Sequence, residues 1–216
     1  MNLSSIGVTI LIFLFSCSSQ IFAQELGTKI DFFGYADNRE YQAPHTIDKT
    51  FFGATLSPQL YLKLDQTHQI VGGIHYNQDF GINSENKKKV NSIAYYNFNT
   101  ERIDFGIGFI PRHEKLKNIP LLVLSDTLHY DRPNIEGMYF NYKSKTFHQA
   151  IFIDWLSKQG AANRERFIVG VSGHYKFGKA YLANDGTLYH NALTSVDDPN
   201  VHIQDNAVLV LRLGLD

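Results

Sequence analysis

The stretch that decides the fold is ATLSPQLYLKL, residues 54–64, in which apolar and polar side chains alternate. Its even positions read A, L, P, L, L, L, whereas its odd positions read T, S, Q, Y, K. Successive side chains of a β-strand point to opposite faces of the sheet, so a period of two indicates a strand whose faces differ. We therefore predict a strand here with one apolar and one polar face.

The same period recurs along the rest of the chain. It is clear in residues 103–112 and 167–177, and it recurs in residues 70–80, where Gln78 interrupts the apolar face, and in residues 207–215, where Val208 and Val210 lie on the polar one. It is less regular in residues 90–99 and 147–156. No window of comparable length repeats its apolar residues every third or fourth position, which is the spacing expected of an amphipathic helix. The pattern predicts an all-β chain.

The connections between these segments alternate in length. Short polar turns are predicted at residues 65–68, 99–102, 143–146 and 178–179, and longer links at residues 38–50, 81–89, 112–134, 157–164 and 184–205. Transmembrane β-barrels have short turns at one rim and long loops at the other. The pattern predicts an antiparallel transmembrane β-barrel over residues 25–216, with ten strands in this chain.

A soluble β-sandwich, as in a secreted binding module, is an alternative because its strands also have a period of two. Sandwich strands are shorter, however, and the alternating segments here are long enough to cross a bilayer when tilted. Aromatic residues also lie near the predicted strand ends, for example Tyr76, Phe80, Tyr175 and Phe177. That distribution is typical of the interfacial girdles of membrane barrels, which we therefore favour.

The first residues of the chain indicate export. Residues 6–15, IGVTILIFLF, are too few to span a bilayer as a helix, and Ala23 offers a small residue before a cleavage site. We therefore predict a signal peptide over residues 1–24, although no Lys or Arg precedes the apolar run. Lipidation of Cys17 and an N-terminal core strand are the alternatives. Cys17 is the only cysteine, so cleavage after Ala23 leaves no disulfide or cysteine-ligated metal.

Composition narrows the classes of function. The chain has 20 basic and 21 acidic residues, a net charge of −1, which argues against a nucleic-acid partner. Charged residues make up 19% and aromatic residues 13%, and the low charge fits strands that reserve one face for lipid. A mean hydropathy of −0.21 is too polar for a helical membrane protein.

The stretches GGIHYNQDFG (72–81), RIDFGIGFIPR (102–112) and YDRPNIEGMYFNY (130–142) resemble membrane strands that meet loops. In architecture, residues 25–216 resemble the porin-like outer-membrane β-barrels of Gram-negative bacteria. The resemblance implies an outer-membrane location, contact with outer-membrane lipid, and a homo-oligomer as one assembly. Such barrels usually end in an aromatic residue, whereas this chain ends LGLD, so we expect the barrel to be incomplete at the C-terminus. A ten-stranded barrel with an unusual end is the alternative.

The sequence offers little that points to catalysis or to a metal ion. It contains no nucleophile elbow, no zinc-protease helix, no phosphate-binding loop and no dinucleotide fingerprint. His113 and Glu114, like Asp126 and His129, are carboxylate–imidazole neighbours, but nine His and 21 acidic residues make such neighbours common by chance. The His residues are dispersed. We therefore predict no enzyme, no cofactor and no metal site.

The long link 112–134 is the most informative connection, because it mixes charged residues with the apolar run at residues 120–124. One interpretation folds it into the barrel as a constriction, and the other makes it a further strand or an outward hairpin. With the inner-face polar residues, it gives a predicted set of pore-lining groups: Arg112, His113, Glu114, Lys115, Lys117, Asp126, Asp131, Arg132, His75, Asp79, Asp104, His174, Lys176 and Arg212. Both charge signs are present in similar number, which predicts either weak ion selectivity or a path for neutral polar solutes.

We therefore predict an outer-membrane channel for passive passage of small polar solutes. Ten strands enclose little open lumen, so a non-transporting barrel with a structural or surface-binding role is the first alternative. A barrel enzyme that acts on lipid or peptide at the outer face is the third hypothesis. The run at residues 87–89, KKK, suggests contact with anionic lipopolysaccharide.

Overall fold

The computed structural model describes residues 25–40, 49–81, 89–116, 119–120, 122–125, 127–196 and 199–215. Within these ranges the strands are β1 Glu25–Arg39, β2 Lys49–Lys63, β3 His68–Asp79, β4 Lys89–Asn99, β5 Ile103–Pro111, β6 Asn134–Lys143, β7 Phe147–Ser157, β8 Arg166–Phe177, β9 Ala180–Asn191 and β10 Gln204–Leu215. Two short helices, α1 Arg112–Leu116 and α2 Thr127–Asp131, separate β5 from β6. The predicted signal peptide and its alternatives at Cys17 lie outside the described residues.

All ten strands form one antiparallel sheet in which each strand pairs with its neighbours in the sequence. This confirms the all-β class and the number of strands. The prediction was a closed barrel. In the described part of the chain no hydrogen-bonded ladder joins β1 to β10, so the sheet is open. Both strands remain edges of the sheet.

The connections fall into two sets at opposite ends of the sheet. The short ones are residues 64–67, 100–102, 144–146 and 178–179, which we call the short-turn rim. The long ones form the opposite, long-loop rim. The predicted link 184–205 is wrong in its first eight residues, because β9 continues to Asn191. Asp185, whose polarity suggested a loop, is instead buried in the sheet, where Ser172 and Arg212 bind its carboxylate.

The polarity of the two faces of the sheet is the reverse of that in a soluble protein, in which apolar side chains are buried and polar ones are exposed. The inner face buries polar side chains, including Thr55, Ser57 and Gln59 on β2. The outer face exposes large apolar ones, and Leu209 and Leu213 on β10 are 63% and 76% exposed. An apolar outer surface over a polar interior is what a sheet facing lipid requires.

Neither α1 nor α2, the helices found among the described residues, has the length and apolar content needed to cross a membrane.

The connection between β5 and β6 packs against the inner face. Leu116 of α1 and Leu124 join a buried cluster with Ile110, Ile135 and Phe152 of the sheet. On the far side, the Thr187 hydroxyl of β9 donates a hydrogen bond to the Val123 carbonyl over 2.8 Å. The sheet therefore wraps around this connection, which occupies the space that the channel prediction assigned to a pore.

Candidate functional site

The inner face of β1 forms one wall of a cavity at the long-loop rim. Alternate residues of the strand share this face, so its side chains are presented in a row toward α1 and α2. The cavity has a volume of about 770 Å³. It is lined by Phe33, Gly34, Tyr35, Ala36, Asp37, Arg39, His113, Ser125, His129 and Tyr130.

His113 of α1 is held against the β1 wall by two contacts. Its Nε2 atom lies 2.5 Å from Oδ2 of Asp31. Its ring stacks on Phe33, with centroids 5.9 Å apart and planes inclined by 17°. A neutral imidazole with its proton on Nε2 has Nδ1 as the nitrogen that can accept a proton. A carboxylate beside an imidazole is the arrangement used in general-base catalysis. Among the described residues Asp31 Oδ2 accepts no hydrogen bond, so its contact with His113 is electrostatic.

Glu114, the next residue of α1, extends this cluster. Ligand atoms of Asp31, His113 and Glu114 lie within 4.8 Å of one another, a spacing that would also suit a metal ion. The Lys29 ammonium is 2.6 Å from Glu114 Oε1, so a positive charge already neutralises this carboxylate. The cluster is therefore held by ion pairs, although Asp31 Oδ2 accepts no hydrogen bond among the described residues. Sequence analysis did not find it, because Asp31 is distant from α1 along the chain.

Asp37 and Tyr130 form the second polar group of the cavity. The Tyr130 hydroxyl donates a hydrogen bond of 2.6 Å to Asp37 Oδ2, and Arg39 Nε donates one of 2.8 Å to the same oxygen. The Tyr130 ring stacks on Tyr35 at a centroid distance of 4.5 Å. Asn77 donates to the Tyr130 carbonyl over 2.7 Å. These contacts tie α2 to the inner faces of β1 and β3.

Burial, with the hydrogen bond to Asp37, raises the pKa of Tyr130 from 10.0 to about 12. Below pH 10 the phenol is protonated in both folded and unfolded chains, so its contribution to stability is fully present there. Between pH 10 and about 12 the unfolded chain ionises first, and that contribution is lost. We expect the stability advantage of the wild-type protein over Tyr130→Phe to shrink across this interval. Urea unfolding as a function of pH would measure it, and a constant advantage would contradict the assignment.

Arg112, the first residue of α1, fixes both ends of the connection that carries the site. Its Nη2 lies 2.5 Å from Oδ2 of Asp154 on β7, and both side chains are fully buried. The same guanidinium donates to the carbonyl oxygens of Arg132 and Asn134, over 3.0 Å and 2.6 Å. Burial lowers the pKa of Arg112, while Asp154 acts in the opposite direction. The residues before α1 and after α2 are thereby joined to the same buried ion pair.

A second series of buried side-chain contacts holds Asn134, the first residue of β6, in place after the connection. Ser57 Oγ lies 2.7 Å from His75 Nδ1, and His75 Nε2 lies 3.0 Å from Asn134 Oδ1. Asn134 Nδ2 donates to the Ser92 carbonyl, so its Oδ1 accepts from His75 Nε2–H. The residue types resemble a hydrolytic triad, but Ser57 is only 2% exposed and does not line the cavity. These contacts instead fix the position of β6 through Asn134.

Comparison with known families identifies the chain. The model of the lipid A 3'-O-deacylase-type family matches residues 18–215. The chain belongs to this family. A comparison with curated proteins finds no match.

Membership of the lipid A 3'-O-deacylase-type family corrects several predictions. The resemblance to porins is wrong, since this family modifies lipid A, and so is the passive solute channel with its constriction at residues 112–134. The prediction that the chain is not an enzyme is wrong as well, because a deacylase is a hydrolase. Small solutes and a homo-oligomer have no support, and neither do the structural-barrel and sandwich alternatives. The family is one of the Gram-negative cell envelope, and its substrate is consistent with the predicted contact with lipopolysaccharide.

The structure gathers only part of the predicted residue set into the cavity region. His113 lines the cavity, Glu114 adjoins it, and Arg112 anchors their helix. Lys115 pairs with Asp104 inside the sheet over 2.8 Å. The others lie outside the cavity. Three form ion pairs, Asp131 with Lys89, Arg132 with Glu136 and Arg212 with Asp185, and Asp79 accepts a hydrogen bond from the Tyr35 hydroxyl. His75 contacts Ser57 and Asn134, His174 stacks on Tyr181, and Lys176 is exposed at the short-turn rim. Lys117 and Asp126 lie outside the described residues.

Sequence reasoning did not select the β1 side of the cavity or most of α2. It missed Asp31, Tyr35, Asp37, Arg39 and Tyr130, and it set His129 aside as a chance neighbour of Asp126. The alternation of β1 could have found the β1 residues, because it places all five charged residues of the strand on the inner face: Glu25, Lys29, Asp31, Asp37 and Arg39. A lipid-facing sheet carries charges inward only where they are paired or solvated.

Proposed function

We propose that the protein hydrolyses a fatty-acyl ester of lipid A in the cavity between β1 and the two helices. The observation that carries this proposal is that His113, which lines the cavity, is paired with the carboxylate of Asp31. Membership of the family supplies the substrate class and the expectation that the 3'-O-linked chain is removed. The pair supplies a group able to activate water.

The chemistry requires one water molecule and no covalent enzyme intermediate. His113 Nδ1 accepts a proton from water as the water oxygen attacks the ester carbonyl carbon, and Asp31 stabilises the imidazolium that forms. The tetrahedral oxyanion then collapses and expels the sugar alkoxide, which takes the proton back from His113. Arg39 places a guanidinium on the same cavity wall, where its positive charge can stabilise an oxyanion, whereas the Tyr130 O–H is donated to Asp37.

The position of the cavity suits a substrate that is itself part of a membrane. We propose that the sheet lies in the outer membrane, with its apolar outer face in lipid and its long-loop rim at the cell surface. Exposed side chains such as Ile30 and Phe32 on the outer face of β1 support this placement, since both are at least 70% exposed. A lipid of the outer leaflet then meets the protein at the level of the cavity, with β1 as the nearest wall.

The direct test is incubation of the purified protein, in nonionic detergent, with hexa-acylated lipid A. We expect free fatty acid to appear and the lipid A mass to fall by one acyl chain, with fragmentation placing the loss at the 3' position. Boiled protein is the control. Lipid A of unchanged mass after prolonged incubation, with the β-sheet signal in circular dichroism intact, would refute the proposal.

A further inference from the structure

The short-turn rim, opposite the cavity, carries an excess of positive charge on one side. Three consecutive turns and the strand ends beside them present Arg102, Lys143, Lys145, Lys176 and Lys179, which we call the basic rim. All five are exposed to solvent. Elsewhere on the same rim charges are balanced, since Lys63 pairs with Glu25 over 2.6 Å.

The basic rim contains a groove between the β4–β5 and β6–β7 turns. Its volume is about 560 Å³, and it is lined by Glu101, Arg102, Lys143, Ser144, Lys145 and Thr146. Three cations thus face one carboxylate, together with the hydroxyl group of Thr146, whereas the Ser144 hydroxyl donates to the Phe147 carbonyl. In the part of the chain that the structure describes, no ion pair involves Arg102, Lys143 or Lys145. Unbalanced exposed charge of one sign attracts a ligand of the other sign.

Backbone hydrogen bonds hold the groove in shape. The Lys143 amide donates to the Arg102 carbonyl over 2.8 Å, which joins the two turns. The Ser144 amide donates to the Phe147 carbonyl over 2.6 Å and closes the β6–β7 turn. The cationic side chains therefore extend from a fixed frame.

A row of aromatic rings borders the basic rim on the outer face. Tyr142 and Phe147 have ring centroids 6.2 Å apart, Phe147 and Tyr175 6.3 Å, and Tyr175 and Phe177 5.7 Å. Phe147, Tyr175 and Phe177 are 36%, 47% and 45% exposed. Aromatic rings that cluster beside charged residues mark the depth at which acyl chains give way to headgroups. The groove consequently lies at headgroup level.

We infer that the basic rim binds the headgroup of an anionic phospholipid of the periplasmic leaflet. The phosphodiester lies in the groove against Arg102, Lys143 and Lys145, and the acyl chains run along the aromatic row. The inference rests on the membrane placement proposed above but not on the hydrolytic chemistry. It gives the protein a lipid site in each leaflet, with the substrate at one rim and an anionic lipid at the other.

Native mass spectrometry of the purified protein in nonionic detergent tests this site. Titration with dioleoylphosphatidylglycerol and dioleoylphosphatidylcholine gives the two affinities. A basic residue near an anionic lipid contributes about fivefold in affinity. We expect wild-type protein to bind the phosphatidylglycerol about tenfold more tightly or better, and Lys143→Gln/Lys145→Gln to lose most of that preference. Lys158→Gln/Arg166→Gln removes two exposed cations from the opposite rim and is expected to keep it.

The outcomes separate this inference from the proposed activity. Equal affinity of wild-type protein for the two lipids overturns the inference, and so does a preference that survives in the Lys143/Lys145 variant or disappears in the control. Fatty-acid release from lipid A is measured on the same preparations. Release without a preference for phosphatidylglycerol leaves the proposed function standing, whereas preference without release leaves the basic rim standing.

Discussion

Replacement of His113 by Asn is expected to lower the rate of fatty-acid release from lipid A by about 10²- to 10⁴-fold, because the general base is lost. Asn is smaller than His, and its amide nitrogen lies at the position of Nδ1, so the contact of Nε2 with Asp31 is lost together with the base. His113 lies on one wall of the cavity and the other lining residues are unchanged, so the loss should appear in kcat with little change in KM. Asp31→Asn removes the charge that stabilises the imidazolium and is expected to lower kcat by at least about tenfold.

A matched control exists on the opposite edge of the sheet. His190 Nδ1 lies 2.6 Å from Asp205 Oδ1, so β9 and β10 hold a second imidazole–carboxylate pair. Neither residue lines the cavity. His190→Asn is expected to retain full activity, which would show that the effect at His113 depends on location.

His129 is the second histidine that lines the cavity, so it is the alternative candidate for the general base. If His129→Asn abolishes release while His113→Asn remains active, the base is His129 and our assignment is wrong. If both variants are inactive while both remain folded, Asp31→Asn decides between them, because Asp31 pairs with His113: a fall in kcat favours His113, and full activity refutes it.

Replacement of Asp154 by Ala is expected to destabilise the protein by about 3–5 kcal/mol, because it leaves the buried Arg112 guanidinium without its counter-charge. Arg112 and Asp154 are both 0% exposed, so water cannot take the place of the carboxylate. Because Arg112 begins α1, we also expect His113 to lose its fixed position and activity to fall. Guanidinium unfolding in detergent, followed by the fluorescence of Trp155, would measure the change in stability.

Two further variants identify the cause of that destabilisation. Lys89 and Asp131 form an ion pair of similar length whose side chains are 52% and 53% exposed, so Lys89→Gln should cost less than about 1 kcal/mol. Arg112→Met/Asp154→Leu removes both buried charges and should recover most of the stability lost in Asp154→Ala. A stability of Asp154→Ala within about 1 kcal/mol of wild type would mean that the pair is not the anchor.

The strands and the polarity of their faces were predicted correctly because they depend only on the order of side chains within each segment. A period of two in residues 54–64 determines both strand and faces, because each side chain lies opposite the next whatever the rest of the chain does. The alternation of short and long connections was similarly visible. The segment at residues 184–187, NDGT, misled because its polar residues read as a turn, while Asp185 is satisfied by partners on β8 and β10.

The candidate site could not be read in the same way, because its members are brought together only by the fold. Asp31 and His113 are distant in the sequence, and their contact exists because α1 turns back across the inner face to β1. The neighbour that sequence suggested for His113, Glu114, instead pairs with Lys29. The family was missed for a related reason: periodicity describes a lipid-facing sheet and is silent about what its loops do.

The sequence by itself determined that the chain is all-β, that its strands have one apolar and one polar face, and that its longest internal link would be unusual. These follow from local side-chain geometry and from the lengths of segments. Only the tertiary structure decided that this link packs inside the curved sheet and that its imidazole meets a carboxylate of β1 at a cavity wall. Such a contact depends on the path of the chain in space, which is set by the buried Arg112–Asp154 pair and the apolar cluster beside it.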